Sequence, residues 1–344
     1  MSLREDGGMP ADALPSAFPA FVAERFDDRV ERGVRDFSAA DLPPGEVTIR
    51  VEWSSVNYKD GLATTAGGKV ARISPLIAGI DMAGVVVASD DSAFRAGDAV
   101  IAHGYELGVS RHGGYAAYER VPADWVVPMP PGLGAREAMA IGTAGFTAAM
   151  SITALEDRGL DPADGPVLVT GATGGVGSTA VAILAERGYE VWAAAGKDAE
   201  HAYLRGLGAT GIVPRAECTA ESTRPLESER WAGAIDSVGG ATLPYVLRTL
   251  RRGAGVAASG NAGGPAFATT VFPFILRSVA LLGIDSVAVP IAERRRLWDR
   301  LATDLRPRAL AESAKEVPLD TLEPALDGIL AGEARGRWIV RIGA

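Results

Sequence analysis

Between Glu46 and Trp53 polar and apolar residues alternate, the pattern of a strand with one face buried. Residues 84–87, 98–102 and 115–121 read as further short strands, with a turn at Gly97. Such signals run from Phe18 to Trp125, punctuated by Gly and Pro, and predict a β-rich, barrel-like domain rather than a parallel sheet. The period changes after Pro130-Pro131. Residues 136–155 read as a helix. From Pro166 onward apolar runs at 167–170, 191–195, 211–213, 233–236, 255–258 and 280–284 alternate with helical segments, among them 176–187 and 199–207. That alternation predicts a doubly wound parallel sheet, so the fold class is α/β. Beyond about residue 291 two amphipathic helices follow. The run 338–342 then reads as a terminal strand that returns to the first domain.

The first run of the second half, Val167-Leu168-Val169-Thr170, leads into Gly171-Ala172-Thr173-Gly174-Gly175-Val176-Gly177 and a helix. Strand, glycine-rich turn and helix is the context a dinucleotide site requires. The glycines let the backbone approach a pyrophosphate, and the helix N-terminus offers free N–H groups. A plain tight turn is the alternative. An NAD site places an acid at the end of the second strand. Here residues 191–195 end without one, and Gly196-Lys197 follow, which leaves room for a 2′-phosphate and a cation beside it. This favours NADPH. Asp198 comes next, and Lys197 as a solvated surface residue is the competing reading.

The chain has 344 residues, enough for two domains. Its net charge of −9 argues against a general nucleic-acid or anionic-membrane binder. Cys218 is the one cysteine, so an intrachain disulfide and a four-cysteine zinc site are both impossible. His103, His112 and His201 form no cluster at ligand spacing. No basic-then-apolar leader and no apolar run of membrane-spanning length stand out, so a cytoplasmic protein is expected. The first 16 residues read as a flexible extension.

Several segments resemble the zinc-independent, quinone oxidoreductase-like branch of the medium-chain dehydrogenase/reductases, and within it the acrylyl-CoA reductase (YhdH-type) family. They are Trp53 to Asp60, Gly79-Ile80-Asp81, Ile141 to Ala148, Thr170 to Ala180, Trp231 to Asp236, Pro273 to Arg277, Gly283 to Val287 and Gly336-Arg337. The resemblance implies a GroES-like catalytic domain (17–142 and 292–344), a Rossmann domain (143–291) and a cleft between them. It further implies NADPH, a small-molecule substrate and a homodimer built through the cofactor domains. Zinc-dependent relatives carry a Cys near Asn57–Lys59 and Gly-His-Glu where this chain has Gly79-Ile80-Asp81, so no metal is expected.

By the same resemblance Gly174, Gly175, Val176 and Gly177 cradle the pyrophosphate. Gly196 and Lys197 flank the 2′-phosphate, with Arg215 on the adenosine side. Asn261, Ile275 and Ser286 line the cofactor. Tyr58 stands near the nicotinamide; because its hydroxyl can do both, it is the first candidate for oxyanion donor or proton source, and an aromatic that packs on the cofactor is the alternative. If its segment is extended, Tyr58 points away from Asn57 and Lys59, and Lys59 pairs with Asp81. Arg72, Arg111, Arg277 and Arg337 are available to contact an acyl-CoA. His112 is expected to be exposed. The chain departs from the family where members carry tryptophans, at His103 to Gly108 and Arg111 to Gly114. That departure implies a wider or more polar pocket. The implied reaction is NADPH-dependent reduction of an activated C=C bond, as in acrylyl-CoA. The alternatives are a quinone or enone oxidoreductase and a non-catalytic NADPH-binding regulator.

Overall fold

The computed structural model describes residues 14–307, 309 and 313–342. Of the expected extension at 1–16, only Leu14, Pro15 and Ser16 fall within them.

The first half is strand-rich. Its elements are β1 (Ala17–Arg25), β2 (Val30–Ser38), β3 (Val47–Ser55), α1 (Tyr58–Ala63), β4 (Leu76–Ile77), β5 (Asp81–Ser89), β6 (Ala99–His103), β7 (Tyr118–Val121) and β8 (Val126–Pro128). β1 lies between β2 and β4 in a small antiparallel sheet. The alternation seen in the sequence holds in part along β3: Val47, Ile49 and Val51 are buried and Arg50 is exposed, but Thr48, flanked by β5 and β7, is buried as well. Twice along its pairing with β5 the register shifts, after Thr48 and after Val51. Such irregularities bend a strand and re-aim its end. That end, Ser54 and Ser55, is polar yet fully buried. The strand expected at 115–121 is shorter than predicted, because Tyr115 is held outside the ladder by hydrogen bonds with Ala78 and Phe21.

The second half contains β9 (Val167–Val169), α3 (Gly175–Glu186), β10 (Val191–Ala195), α4 (His201–Gly206), β11 (Gly211–Pro214), α5 (Arg215–Cys218), β12 (Trp231–Asp236), α6 (Thr242–Thr249), β13 (Leu250–Ala258), α7 (Phe272–Arg277) and β14 (Ala280–Gly283). Their six strands form one parallel sheet in the order β11-β10-β9-β12-β13-β14. The order reverses between β9 and β12, which opens a crevice at their carboxyl ends.

α2 (Ala135–Glu156) joins the halves. Among the described residues it is the one helix long and apolar enough to cross a membrane, a length not singled out by the sequence pattern. Its apolar stretch is 83% buried inside the fold, where it packs on α3, β3 and β5. Gly142 interrupts it with φ 53° and ψ −162°, a conformation glycine alone adopts readily. The chain closes through α8 (Ile291–Ala302), β15 (Lys315–Pro318), α9 (Leu322–Leu330) and β16 (Trp338–Arg341). β16 pairs antiparallel with β3, setting Ile339 opposite Ser55. Just before it, the Gly336 N–H donates to Thr173 O at 2.8 Å. The last strand therefore spans from the glycine-rich turn to the buried end of β3.

Candidate active site

The turn after β9 is built for close approach. Gly171 has φ 59°, and a Cβ there would meet Ser237 Oγ at 2.4 Å. A Cβ on Gly177 would lie 2.3 Å from Gly171 O. Thr170 Oγ1 donates to Asp236 Oδ1 at 2.5 Å, and Asp236 Oδ2 accepts from Gly239 N at 2.8 Å, fixing the strand ends on both sides of the crevice. Burial raises the Asp236 carboxyl above its ordinary range. Gly174 caps α3 without a side-chain acceptor, so the first-turn N–H groups of a 12-residue helix are left for a ligand.

At the end of β10 the structure joins residues that are distant in the sequence. A Cβ on Gly196 would lie 2.7 Å from Arg215 Cζ, so the guanidinium at the start of α5 lies over the glycine. Lys197 is next in the chain, and neither cation has an ion-pair partner among the described residues. Asp198 is instead 3.6 Å from the His201 Nε2 that opens α4. Gly196, Lys197 and Arg215 thus leave a small basic space that suits a phosphate.

The facing wall starts at the buried end of β3. Asp81 opens β5, is fully buried, and accepts hydrogen bonds from four donors. Ser55 N donates to Oδ1 at 3.0 Å, and Ser55 Oγ lies 2.8 and 2.7 Å from the two oxygens. Asn57 Nδ2 and Thr143 N donate to Oδ2 at 3.0 and 2.9 Å. Arg337 Nη2 donates to Ser55 Oγ at 2.6 Å and Nε to Ala140 O at 3.0 Å. Its guanidinium is buried, which lowers its pKa, while Asp81, Tyr115 and Asp60 oppose that shift. The pairing expected between Lys59 and Asp81 is replaced by this network, because Ser55 and Thr143 reach the carboxylate from the backbone. Gly142 is where the network is tightest. A Cβ there would sit 2.6 Å from Arg337 Nη2, 2.8 Å from Ser55 Oγ and 2.9 Å from Asp81 Oδ2.

The segment after β3 is helical rather than extended: Tyr58 is the first residue of α1. Asn57 and Asp60 cap the helix, Asp60 Oδ2 accepting from Asn57 N at 2.9 Å. Asp60 Oδ1 accepts from Gly79 N and Ile80 N at 3.2 and 2.9 Å, clamping the backbone just before β5. Burial, and then the charge of Asp81, lift the Asp60 pKa to about 7. Burial likewise raises the Tyr115 phenol, which donates to Ser55 O at 3.0 Å. Tyr58 itself is 42% exposed, and no partner for its hydroxyl exists among the described residues.

Other expected site residues divide. Asn261 follows β13, its Cα close to Gly239 at the end of β12, and so lies at the crevice. Ser286 follows β14 and its Oγ receives a 2.8 Å hydrogen bond from Thr147 of α2. Ile275 is not brought to this group. It is 66% exposed on α7, and Arg277, two residues on, donates to Leu250 O at the start of β13, the end of the sheet opposite the turn. Three of the four arginines considered for an acyl-CoA are engaged elsewhere. Arg111 donates to Pro44 O and Arg120 O, Arg277 to backbone carbonyls, and Arg337 to the buried network. His112 is partly buried rather than exposed: its Nδ1 accepts from Ile77 N at 3.2 Å and its ring meets Phe37 edge-on.

Two hydroxyls of the site carry no signal in the sequence. Thr143 Oγ1 and Ser259 Oγ are buried without a partner among the described residues, although buried hydroxyls are normally bonded. Thr143 follows the Gly142 break, and its neighbour Ala144 lies against Gly175 of the turn. Ser259 directly follows β13. Both therefore stand at the crevice, and their unmet bonds suit a polar occupant. The divergent loop at 103–112 is also well anchored. Tyr105 stacks on Trp125 with centroids 5.0 Å apart and donates to Val289 O at 3.0 Å, while Trp298 Nε1 donates to His103 Nε2 at 2.8 Å.

Two family models match, the alcohol dehydrogenase GroES-like domain over residues 43–131 and the zinc-binding dehydrogenase domain over residues 175–303. Acrylyl-CoA reductase AcuI of Ruegeria pomeroyi is 49% identical over 95% of this chain and 100% of its own. This chain belongs to the YhdH-type, acrylyl-CoA reductase branch of the medium-chain dehydrogenase/reductases. The structure of the Salmonella enterica yhdH oxidoreductase in complex with NADP superposes with a TM-score of 0.92 at 49% identity, covering 94% of this chain and all of that one. The putative quinone oxidoreductase YhfP of Bacillus subtilis is 48% identical over 96% of this chain and 100% of its own. Its structure with NAD bound also gives a TM-score of 0.92, over 94% of this chain and 99% of that one. The GroES-like sheet and the parallel Rossmann sheet are thus the family's two halves. Among the described residues no group of three or more metal-ligating side chains exists.

Proposed function

We propose that this chain is an NADPH-dependent reductase of an activated C=C bond, acting on a 2-enoyl thioester such as acrylyl-CoA. The observation that carries the cofactor choice is Arg215 lying over Gly196 beside Lys197, a basic space where an NAD site would hold an acid. Gly174, Gly175, Val176 and Gly177 would hold the pyrophosphate, with Asn261, Ser286, Thr143 and Ser259 toward the nicotinamide. When bound, the cofactor supplies the hydride for the β-carbon. This chain's residues orient the alkene, exclude water and manage the proton. As charge develops on the thioester oxygen, the free Tyr58 hydroxyl at the first turn of α1 donates to it. The buried Asp60 and Asn57 caps hold that turn in place. A proton then reaches the α-carbon, so the product has gained one hydride and one proton. The family names of AcuI and the NADP-bound yhdH structure support this reading.

The test is NADPH oxidation with acryloyl-CoA by the native chain and by Tyr58→Phe. Loss of about 10²-fold in kcat is expected if the hydroxyl stabilises the oxyanion. An unchanged rate removes Tyr58 from the chemistry. Turnover of 1,4-benzoquinone with none of acryloyl-CoA moves the assignment to the quinone reading that the name of YhfP supports. NADPH binding without turnover of either leaves a regulator.

The reading also takes the chain to be a cytoplasmic homodimer. Among the described residues β14 is an edge strand with one side unpaired, and Val271, Phe272, Ile275, Leu276 and Leu281 expose apolar surface on and beside it. A sedimentation mass of one chain would remove the dimer.

A further inference from the structure

We infer that Lys69 and Arg72 form the site that receives the phosphate groups of a coenzyme A thioester whose acyl end lies at Tyr58. The inference rests on the enoyl-thioester reading and adds to it where the nucleotide end of the substrate binds. No acidic residue occurs between Asp60 and Asp81, in a chain whose net charge is −9. A polyanion approaching this molecule meets a net negative charge, to which this stretch of chain contributes none, and the acids nearest it, Glu323 and Asp327, are paired with Arg32. Of the chain's four lysines, Lys197 is beside Arg215 and Lys315 lies over the Trp338 ring. Of the other two, Lys59 precedes the acid-free segment and Lys69 lies within it, as does Arg72. Arg111, Arg277 and Arg337 are engaged with backbone carbonyls or the buried network. Lys69 and Arg72 are exposed, and their side chains have no hydrogen bond or ion pair among the described residues.

The fold places these two cations by the reactive end. A Cβ on Gly68 would lie 1.7 Å from Leu62 O, so a glycine is needed to bring the chain back onto α1. Leu62 is one helical turn beyond Tyr58, on the same face. Arg25 Nη2 donates to Gly68 O at 3.1 Å and fixes the return. Lys69 therefore emerges next to the turn that follows Tyr58. Arg72 N donates to Val109 O at 2.8 Å, which holds the same segment against the divergent 103–112 loop. The basic space at Gly196 is in the other sheet and serves the cofactor, so this segment is left for the substrate.

The test compares acryloyl-CoA with acryloyl-pantetheine, which has the same reacting group and no phosphates, in the native chain and in a Lys69→Ala/Arg72→Ala double variant. Removing two exposed cations from the phosphate groups corresponds to a rise of about 5- to 10-fold in KM. The expected result is that rise for acryloyl-CoA, with kcat unchanged, and no change for acryloyl-pantetheine. Raised salt reproduces the effect in the native chain, and a Lys69→Arg variant, which keeps the charge, retains the native KM. Equal KM changes for both thioesters, or none for either, overturn the phosphate site while leaving enoyl reduction in place. Failure of the native chain to reduce either thioester removes the enoyl reading and this site with it. NADPH affinity, measured by fluorescence, separates these outcomes from misfolding.

Discussion

Replacing Gly142 by alanine tests the point where both halves of the molecule meet. The added methyl would enter space already occupied by Arg337 Nη2 at 2.6 Å, Ser55 Oγ at 2.8 Å and Asp81 Oδ2 at 2.9 Å. All three belong to the buried network, so none can move into solvent. The φ of 53° with ψ of −162° adds a backbone cost for any residue with a Cβ. Unfavourable backbone conformations of this kind cost about 1–3 kcal/mol, and an extra methyl in a packed interior about 1–3 kcal/mol. The expected destabilisation is their sum, roughly 2–6 kcal/mol. It also reaches the cofactor turn, because Arg337 Nη1 lies only 2.9 Å from where a Cβ on Gly175 would be. Urea denaturation should show a lower midpoint, and KM for NADPH should rise. Gly206→Ala is the matched control. Gly206 ends α4 with open space around its Cβ position, so it should change stability by no more than about 1 kcal/mol, in the stabilising direction. A Gly142→Ala variant with native midpoint and native KM would refute the steric argument.

Two further outcomes follow from the same geometry. Gly196→Asp would put a carboxylate against Arg215 and opposite a 2′-phosphate. KM for NADPH should rise about 10- to 100-fold while that for NADH does not; an undiminished preference for NADPH would show that this strand end does not read the phosphate. Glu119, on β7, is fully buried, its carboxylate oxygens have no partner at full hydrogen-bond geometry among the described residues, and burial pushes its pKa to about 8 against the opposing pull of the Arg120 N–H and the Arg111 and Arg120 charges. Because the folded value exceeds the unfolded one, the native state holds the proton more tightly. Its stabilising contribution is complete below about pH 4.5 and is lost as pH rises through 8. Glu119→Gln should therefore flatten the fall in urea midpoint between pH 5 and 8.5, and parallel profiles for the two proteins would count against it.

Much of the fold is legible in short stretches of chain. Val47 to Val51 alternates because one face of β3 is buried, and Val191 to Ala195 is the observed β10. The glycine-rich turn is legible because a strand precedes it and a helix follows. The Tyr58 segment misleads because capping by Asn57 and Asp60, rather than side-chain alternation, sets its conformation. Lys59 matches Asp81 by charge alone, whereas Asp81 is claimed by backbone and hydroxyl donors from three elements. Ile275 fits the family motif, yet it is 66% exposed on α7, whose last residue, Arg277, donates to Leu250 O at the start of β13. Thr143 and Ser259 leave no sequence signal, since a missing hydrogen bond is a property of the packed state.

The sequence by itself determined the β-rich first half, the parallel second half, the glycine-rich turn after β9 and an inventory of one cysteine and three histidines. These are consequences of side-chain periodicity, backbone stereochemistry and residue inventory, which act over a few residues or none. Only the tertiary structure decided that Arg337 reaches Ser55, 282 residues away, and that Gly142 must lack a side chain between them. It also decided that Arg215 lies over Gly196 and that Lys69 emerges beside the turn after Tyr58. Each of those meetings depends on sheet register and on the exclusion of volume between distant segments, which local preference does not encode.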